Sequence, residues 1–197
     1  MAIQATAGKL HWNYFLALDR DLEVVSRYVE FTKANYRVYS IELAHLLFAA
    51  ASEVDVIAKL LCKQFAPQKK CENIKHYKAI LSAANALPTL HSMKVYVPRY
   101  GLTLTPWDNW KGAQNPDWWR SYNNVKHQRD LHFQQATLHN ALNAMGALLL
   151  LTFEHYKYSL SQNPPAPLSP KDTTQQLQPD PVLLRLPEDH YYGHLIV

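Results

Sequence analysis

From Trp12 to Thr32 the apolar residues Phe15, Leu18, Leu22, Val25 and Val29 recur every three or four positions, with Asp19, Arg20, Asp21, Glu23, Arg27 and Glu30 between them. That spacing predicts a surface helix with one buried stripe. Ser40 reads as an N-cap. From it the series Ala44, Leu47, Ala51, Val54, Ala58, Leu61, Phe65 keeps one face until Pro67 ends the helix. Leu43, Leu46, Phe48, Ile57 and Leu60 widen the stripe, so this second helix is expected to be central. A shorter third helix is expected from about Asn73 to Ala86, stopping before Pro88.

The periodicity then changes. Met93 to Trp107 alternates β-branched and aromatic residues with polar ones around Pro98 and Gly101, which predicts a short hairpin or extended loop. Asn115-Pro116 signals a helix start, with the asparagine as cap and the proline at the first helical position. It opens a helix expected to run from Asp117 to Phe133. A long helix should follow from about Gln134 to Leu160, with Leu138, Leu142, Met145, Leu149, Thr152 and Tyr156 as its stripe. Ala144, Gly146 and Ala147 are small enough to let another helix approach closely. From Gln162 the chain turns to Pro, Ser, Gln and Thr, the composition of a linker or tail. Its last stretch, Val182 to Val197, is apolar enough to dock on its own domain or on another subunit. The expected architecture is all-α: an up-down helical bundle of four to five helices with a hairpin insertion, residues 1–160, then a Pro-rich linker and C-terminal tail, residues 161–197.

Composition narrows this little. Apolar residues are 48% and charged residues 18% of the chain, which excludes a wholly disordered polypeptide. A net charge of +4 permits a polyanionic partner without requiring one, since no block of Lys and Arg longer than Lys69-Lys70 is present. Cys62 and Cys71 lack metal-site spacing, which suggests a reducing compartment and no structural zinc. The first twelve residues do not have the pattern of a secretory signal. The longest apolar run, Ala144 to Phe153, is about half of a bilayer span. A cytoplasmic protein with no membrane contact and no cofactor is expected.

One segment carries chemistry. On a helical wheel of about 100° per residue, Asn123, Asn124 and His127 fall within roughly 60° of Arg120, while Trp118, Tyr122, Val125 and Arg129 fall near the opposite side. An imidazole can take the proton of a ribose 2′-OH or return one to a leaving oxygen, and a guanidinium can hold the phosphate. Lys126 and Arg129 beside His127 would favour the neutral imidazole that a base requires. An ordinary solvated helix face shows the same residue types. A second Arg-to-His match, Arg185 to His190, contains Pro187 and cannot share a helical face.

The stretch Trp118-Trp119-Arg120-Ser121-Tyr122-Asn123-Asn124-Val125-Lys126-His127, leading into an Ala/Leu-rich last helix, resembles the catalytic region of the HEPN superfamily of bacterial defence and toxin systems. The likeness extends loosely over Trp12 to Lys157. Members with the intact Arg…His motif are typically metal-independent endoribonucleases that dimerise around the scissile RNA. The resemblance therefore implies Arg120 and His127 as the catalytic pair. Asn123, Asn124, Lys126 and Arg129 become substrate-binding candidates. The implied partners are RNA, a second copy of the chain and a neutralising protein. Many members carry Asn, Asp or His directly after the arginine, where this chain has Ser121. A non-catalytic module binding nucleotide, RNA or protein through the same face is the alternative, and a plain oligomer interface is a third.

Among other candidates, Glu53 and Asp55 lie on the apolar second helix, where a carboxylate needs a partner. Lys59, an arginine or a backbone group would serve, or one of the two acids would orient Arg120 or His127. His127, His132 and His139 lack the i, i+4 spacing of helical zinc sites and read as surface or capping groups. Trp107, Trp110, Trp118 and Trp119 suit core packing around the hairpin, with base stacking as the functional alternative.

Overall fold

Ser40 opens the longest helix of the protein: its Oγ accepts a hydrogen bond from the Leu43 amide at 3.1 Å, which satisfies one of the orphan N–H groups of a helix start. The computed structural model describes residues 8–162 and 166–192. Its helices are α1 (Leu10–Ser26), α2 (Ile41–Phe65), α3 (Ile74–Leu81), α4 (Asp117–His127), α5 (Arg129–His132), α6 (Leu138–Ser159) and α7 (Pro170–Gln176). Strands β1 (Val95–Val97) and β2 (Leu102–Leu104) pair antiparallel, with Val95 opposite Leu104. The chain is mostly helical with one small hairpin, as the periodicities predict.

Helices α2 and α6 form the central pair, and α1, α3 and α4 pack around them. Leu43, Leu47, Val54, Ile57 and Leu61 of α2 and Leu142, Met145, Leu148 and Leu149 of α6 are buried. Gly101 takes the hairpin turn with φ 61°, a left-handed conformation that glycine reaches at no steric cost. Gly146 lies under that hairpin. A Cβ there would meet Leu104 Cδ1 at 3.4 Å and Val95 Cβ at 3.6 Å, so this small residue admits the sheet rather than a neighbouring helix.

Several boundaries differ from the periodicity. Helix α1 stops at Ser26, and Phe31 reaches the core from the following turn. Helix α3 stops at Leu81, where the Leu87 amide returns to the Leu81 carbonyl at 2.8 Å. Pro116, not Asn115, holds the N-cap position of α4, and no side chain caps it. The helix expected to continue to Phe133 breaks at Gln128, which has φ −142° and ψ 63°. No Gly or Pro marks the break. Tertiary pairing accounts for it: Tyr39 and Thr137 form an antiparallel bridge, and the Leu138 amide donates to the Val38 carbonyl at 2.8 Å. Residues 128–137 must therefore leave the axis of α4 before Thr137 caps α6, accepting from the Asn140 amide at 3.2 Å.

The described part of the tail is packed rather than free. Ser169 caps α7, and Leu183, Leu184 and Leu186 are buried. The buried carboxylate of Asp19 on α1 accepts from the amides of Val182, Leu183 and Leu184 at 2.5, 3.1 and 3.2 Å. Burial pushes this carboxyl above its ordinary value while the three amides pull the other way. Tyr96 and Arg185 exchange backbone hydrogen bonds, both at 2.8 Å, so the tail adds to the edge of β1. The docking expected of Val182 to Val197 is thus onto its own domain through residue 192. Residues 193–197, residues 163–165 of the expected linker and the first seven residues of the chain lie outside the described residues.

Candidate functional site

Helix α4 is held on one side by aromatics. Trp118, Trp119, Tyr122 and Val125 are buried, and Trp118 Nε1 donates to the Pro106 carbonyl at 2.7 Å. Trp107 packs on Trp110 and Trp118 with ring centroids 4.3 and 5.3 Å apart. The four tryptophans are buried and therefore serve the core that carries the hairpin. Asp117 stands in the first turn, where its charge complements the helix dipole.

The opposite side of α4 carries the exposed residues Arg120, Asn124 and His127. Because α4 is continuous between them, Arg120 and His127 stand two turns apart, roughly 10 Å along the axis, and within about 20° of one another around it. Arg120 is ion-paired with Asp117, and both side chains are 53% exposed, so water weakens the pair. The ring nitrogens of His127 have no hydrogen-bond partner among the described residues. The expected polar face is therefore present, with Asp117 added to it.

Arg120 opens onto a groove of about 1060 Å³ bounded by α4, the Asp55 turn of α2, the start of α3 and the start of α6. Asn123, Asn124 and Lys126 line it as well, but His127 does not. Asn123 Nδ2 donates to the Trp119 carbonyl at 2.8 Å, and Asn124 Nδ2 to Gln135 Oε1 at 3.0 Å. Lys126 lies 5.3 Å from the Tyr122 ring centroid and 3.2 Å from its hydroxyl. Arg129, expected on α4, falls beyond the break and stacks over Phe48 at 5.2 Å. It does not line the groove, and its place in the substrate-binding set is not supported by this position.

Neither Glu53 nor Asp55 orients the Arg–His pair. Asp55 pairs with Lys59 at 2.5 Å and accepts from the Tyr77 hydroxyl at 2.6 Å, while Glu53 Oε1 lies 2.5 Å from His11 Nδ1. Asp55 nevertheless lines the groove. The residue that spacing arguments passed over is His139. It is half-buried in the groove wall rather than a surface or capping group, with its ring 4.8 Å from that of Tyr36. Burial lowers its pKa, opposed by Asp117, and so favours the neutral imidazole. Wheel positions within α4 could not reveal it, because it enters from another helix.

Among the described residues no group of three His, Cys, Asp or Glu side chains is placed to hold a metal ion. Nor is any described helix long and apolar enough to cross a membrane. No protein-family model matches the chain, and no curated protein or solved structure matches it either.

Proposed function

We propose that this chain is a metal-independent endoribonuclease of HEPN type, acting in a bacterial defence or toxin setting, with Arg120 binding the scissile phosphate and His127 as general acid/base. In this reading α1, α2, α4 and α6, with α3 beside them, are the up-down bundle, and two copies meet across the exposed α4 ridge to form a composite site around RNA. The single observation that supports it is the shared outward side of α4, where a guanidinium and an imidazole stand two turns apart with no carboxylate on the imidazole among the described residues.

A phosphodiester anion arriving at Arg120 replaces a weak, solvated contact with Asp117 by a charge-assisted one. His127 then exchanges protons with the ribose hydroxyl or the leaving oxygen, and RNA is cleaved by its own 2′-oxygen. The purified protein is expected to cut RNA in EDTA, leaving a 2′,3′-cyclic phosphate and a 5′-hydroxyl, and His127→Ala should abolish cutting. Full activity of that variant would eliminate the assignment.

A second reading is a non-catalytic module that binds nucleotide, RNA or protein through the same face. It is favoured by one observation: His127 stands outside the groove that Arg120 opens onto. It predicts binding without turnover, with binding lost in Arg120→Ala.

A further inference from the structure

We infer that the part of the groove between α4 and the start of α6 seats a single nucleotide, its phosphate on Arg120 and its base against Asn124, His139 and Asn140, and that it selects bases carrying an exocyclic amino group. The inference deepens the nucleic-acid reading above and rests on it for the identity of the ligand. All four residues line one groove, and its volume of about 1060 Å³ exceeds what a drug-sized ligand needs.

Selectivity follows from which polar atoms the protein has already used. Asn140 Nδ2 donates to the Gln135 carbonyl at 2.8 Å and to Ser121 Oγ at 2.9 Å. A backbone carbonyl can only accept, so this amide is fixed with its nitrogen inward. One N–H of Asn124 Nδ2 is taken, by Gln135 Oε1 at 3.0 Å. Among the described residues neither Oδ1 has a protein partner, and neither is a sealed, unsatisfied buried atom. The groove therefore offers two carboxamide oxygens, which accept; Asn140 has spent both of its N–H donors, and Asn124 has one left.

His139 completes the set. Its amide bonds the Tyr36 carbonyl at 3.2 Å and its ring rests against the Tyr36 ring, so the imidazole is held in place from the loop before α2. Its ring nitrogens are without a hydrogen-bond partner among the described residues. The ionisable groups that act on it are Tyr36 on that loop and Asp117 on α4, and Arg120 lines the same groove. Two acceptors and an imidazole suit the N4 amino group of cytosine or the N6 amino group of adenine. Uracil presents two carbonyl oxygens and a single N–H, and its O4 placed at Asn140 would set an oxygen against Oδ1, with both N–H groups of that amide already spent.

Cytidine and uridine monophosphate test this directly, since they match in size and differ at position 4. Calorimetric titration of the full-length protein should show cytidine monophosphate binding about tenfold or more tighter than uridine monophosphate. Arg120→Ala should weaken both. Asn124→Ala and His139→Ala should each bring the ratio toward one, with circular dichroism confirming the fold. Asn124 is exposed, so its variant carries the test should His139→Ala unfold. Equal affinities, or binding of neither nucleotide, would overturn the inference. Discrimination by a protein that cuts no RNA keeps the subsite and removes the ribonuclease reading; RNA cutting without discrimination removes the subsite alone.

Discussion

Asp19 shows how much one side chain can hold. Its carboxylate is fully buried and takes three consecutive amides of a segment about 160 residues away, so helix α1 and the tail are joined by charge-assisted hydrogen bonds. Asp19→Asn keeps the shape but sets an amide N–H₂ against amide donors, leaving at least one of them unsatisfied. A loss of about 2–3 kcal/mol is expected, read as a lower urea midpoint with little change in slope. No loss would mean that the tail docks by its leucines alone.

His155 predicts a pH dependence. Burial, and then the neighbouring His11, push its pKa down to about 4. The rings of the two histidines are 5.4 Å apart and perpendicular, Glu53 faces His11, and Tyr156 packs at 5.0 Å. An unfolded histidine takes its proton near 6.5. Between pH 6.5 and about 4 the unfolded chain therefore binds more protons, and the stability contributed at neutral pH is lost as the pH falls through that window. The contribution is on the order of 1–3 kcal/mol. Denaturation at a series of pH values should show a shallower decline for His155→Phe than for the natural chain; identical slopes would contradict it.

At the scale of elements, hydrophobic periodicity located the central helices because burial is what periodicity reports. Ser40, Pro67 and Gly101 punctuated the chain through effects that belong to single residues: a capping oxygen, a missing N–H and a left-handed φ. The break at Gln128 was illegible because its cause is a bridge between Tyr39 and Thr137, a pairing across about 100 residues. The role of Gly146 was legible only in part, since smallness announces a close approach without naming the neighbour. Gly146→Val should cost about 1–3 kcal/mol by crowding Leu104 and Val95. Thermal melting reads this as a lower Tm, and an unchanged Tm would place the hairpin farther from α6.

For the whole molecule, the outward face of α4 was readable because its residues share one helix, and a wheel handles one helix well. The groove was not, because it is assembled from α2, α3, α4 and α6. His139 enters the site this way, as an imidazole from α6, while Asp117 adds to it from the first turn of α4 as a rival for Arg120. Arg129 left it because the axis of α4 ends two residues earlier. The docked tail covers the α1 and hairpin side, and the Arg120 ridge remains open to water.

The most direct measurement is RNA cleavage in EDTA, followed on end-labelled RNA alongside RNA binding, for the natural chain, Arg120→Ala and His127→Ala. The account predicts that His127→Ala still binds but cuts at least about a hundredfold more slowly, and that Arg120→Ala loses binding and cutting together. Cutting by His127→Ala at the rate of the natural chain, or complete loss of cutting on addition of EDTA, would contradict it.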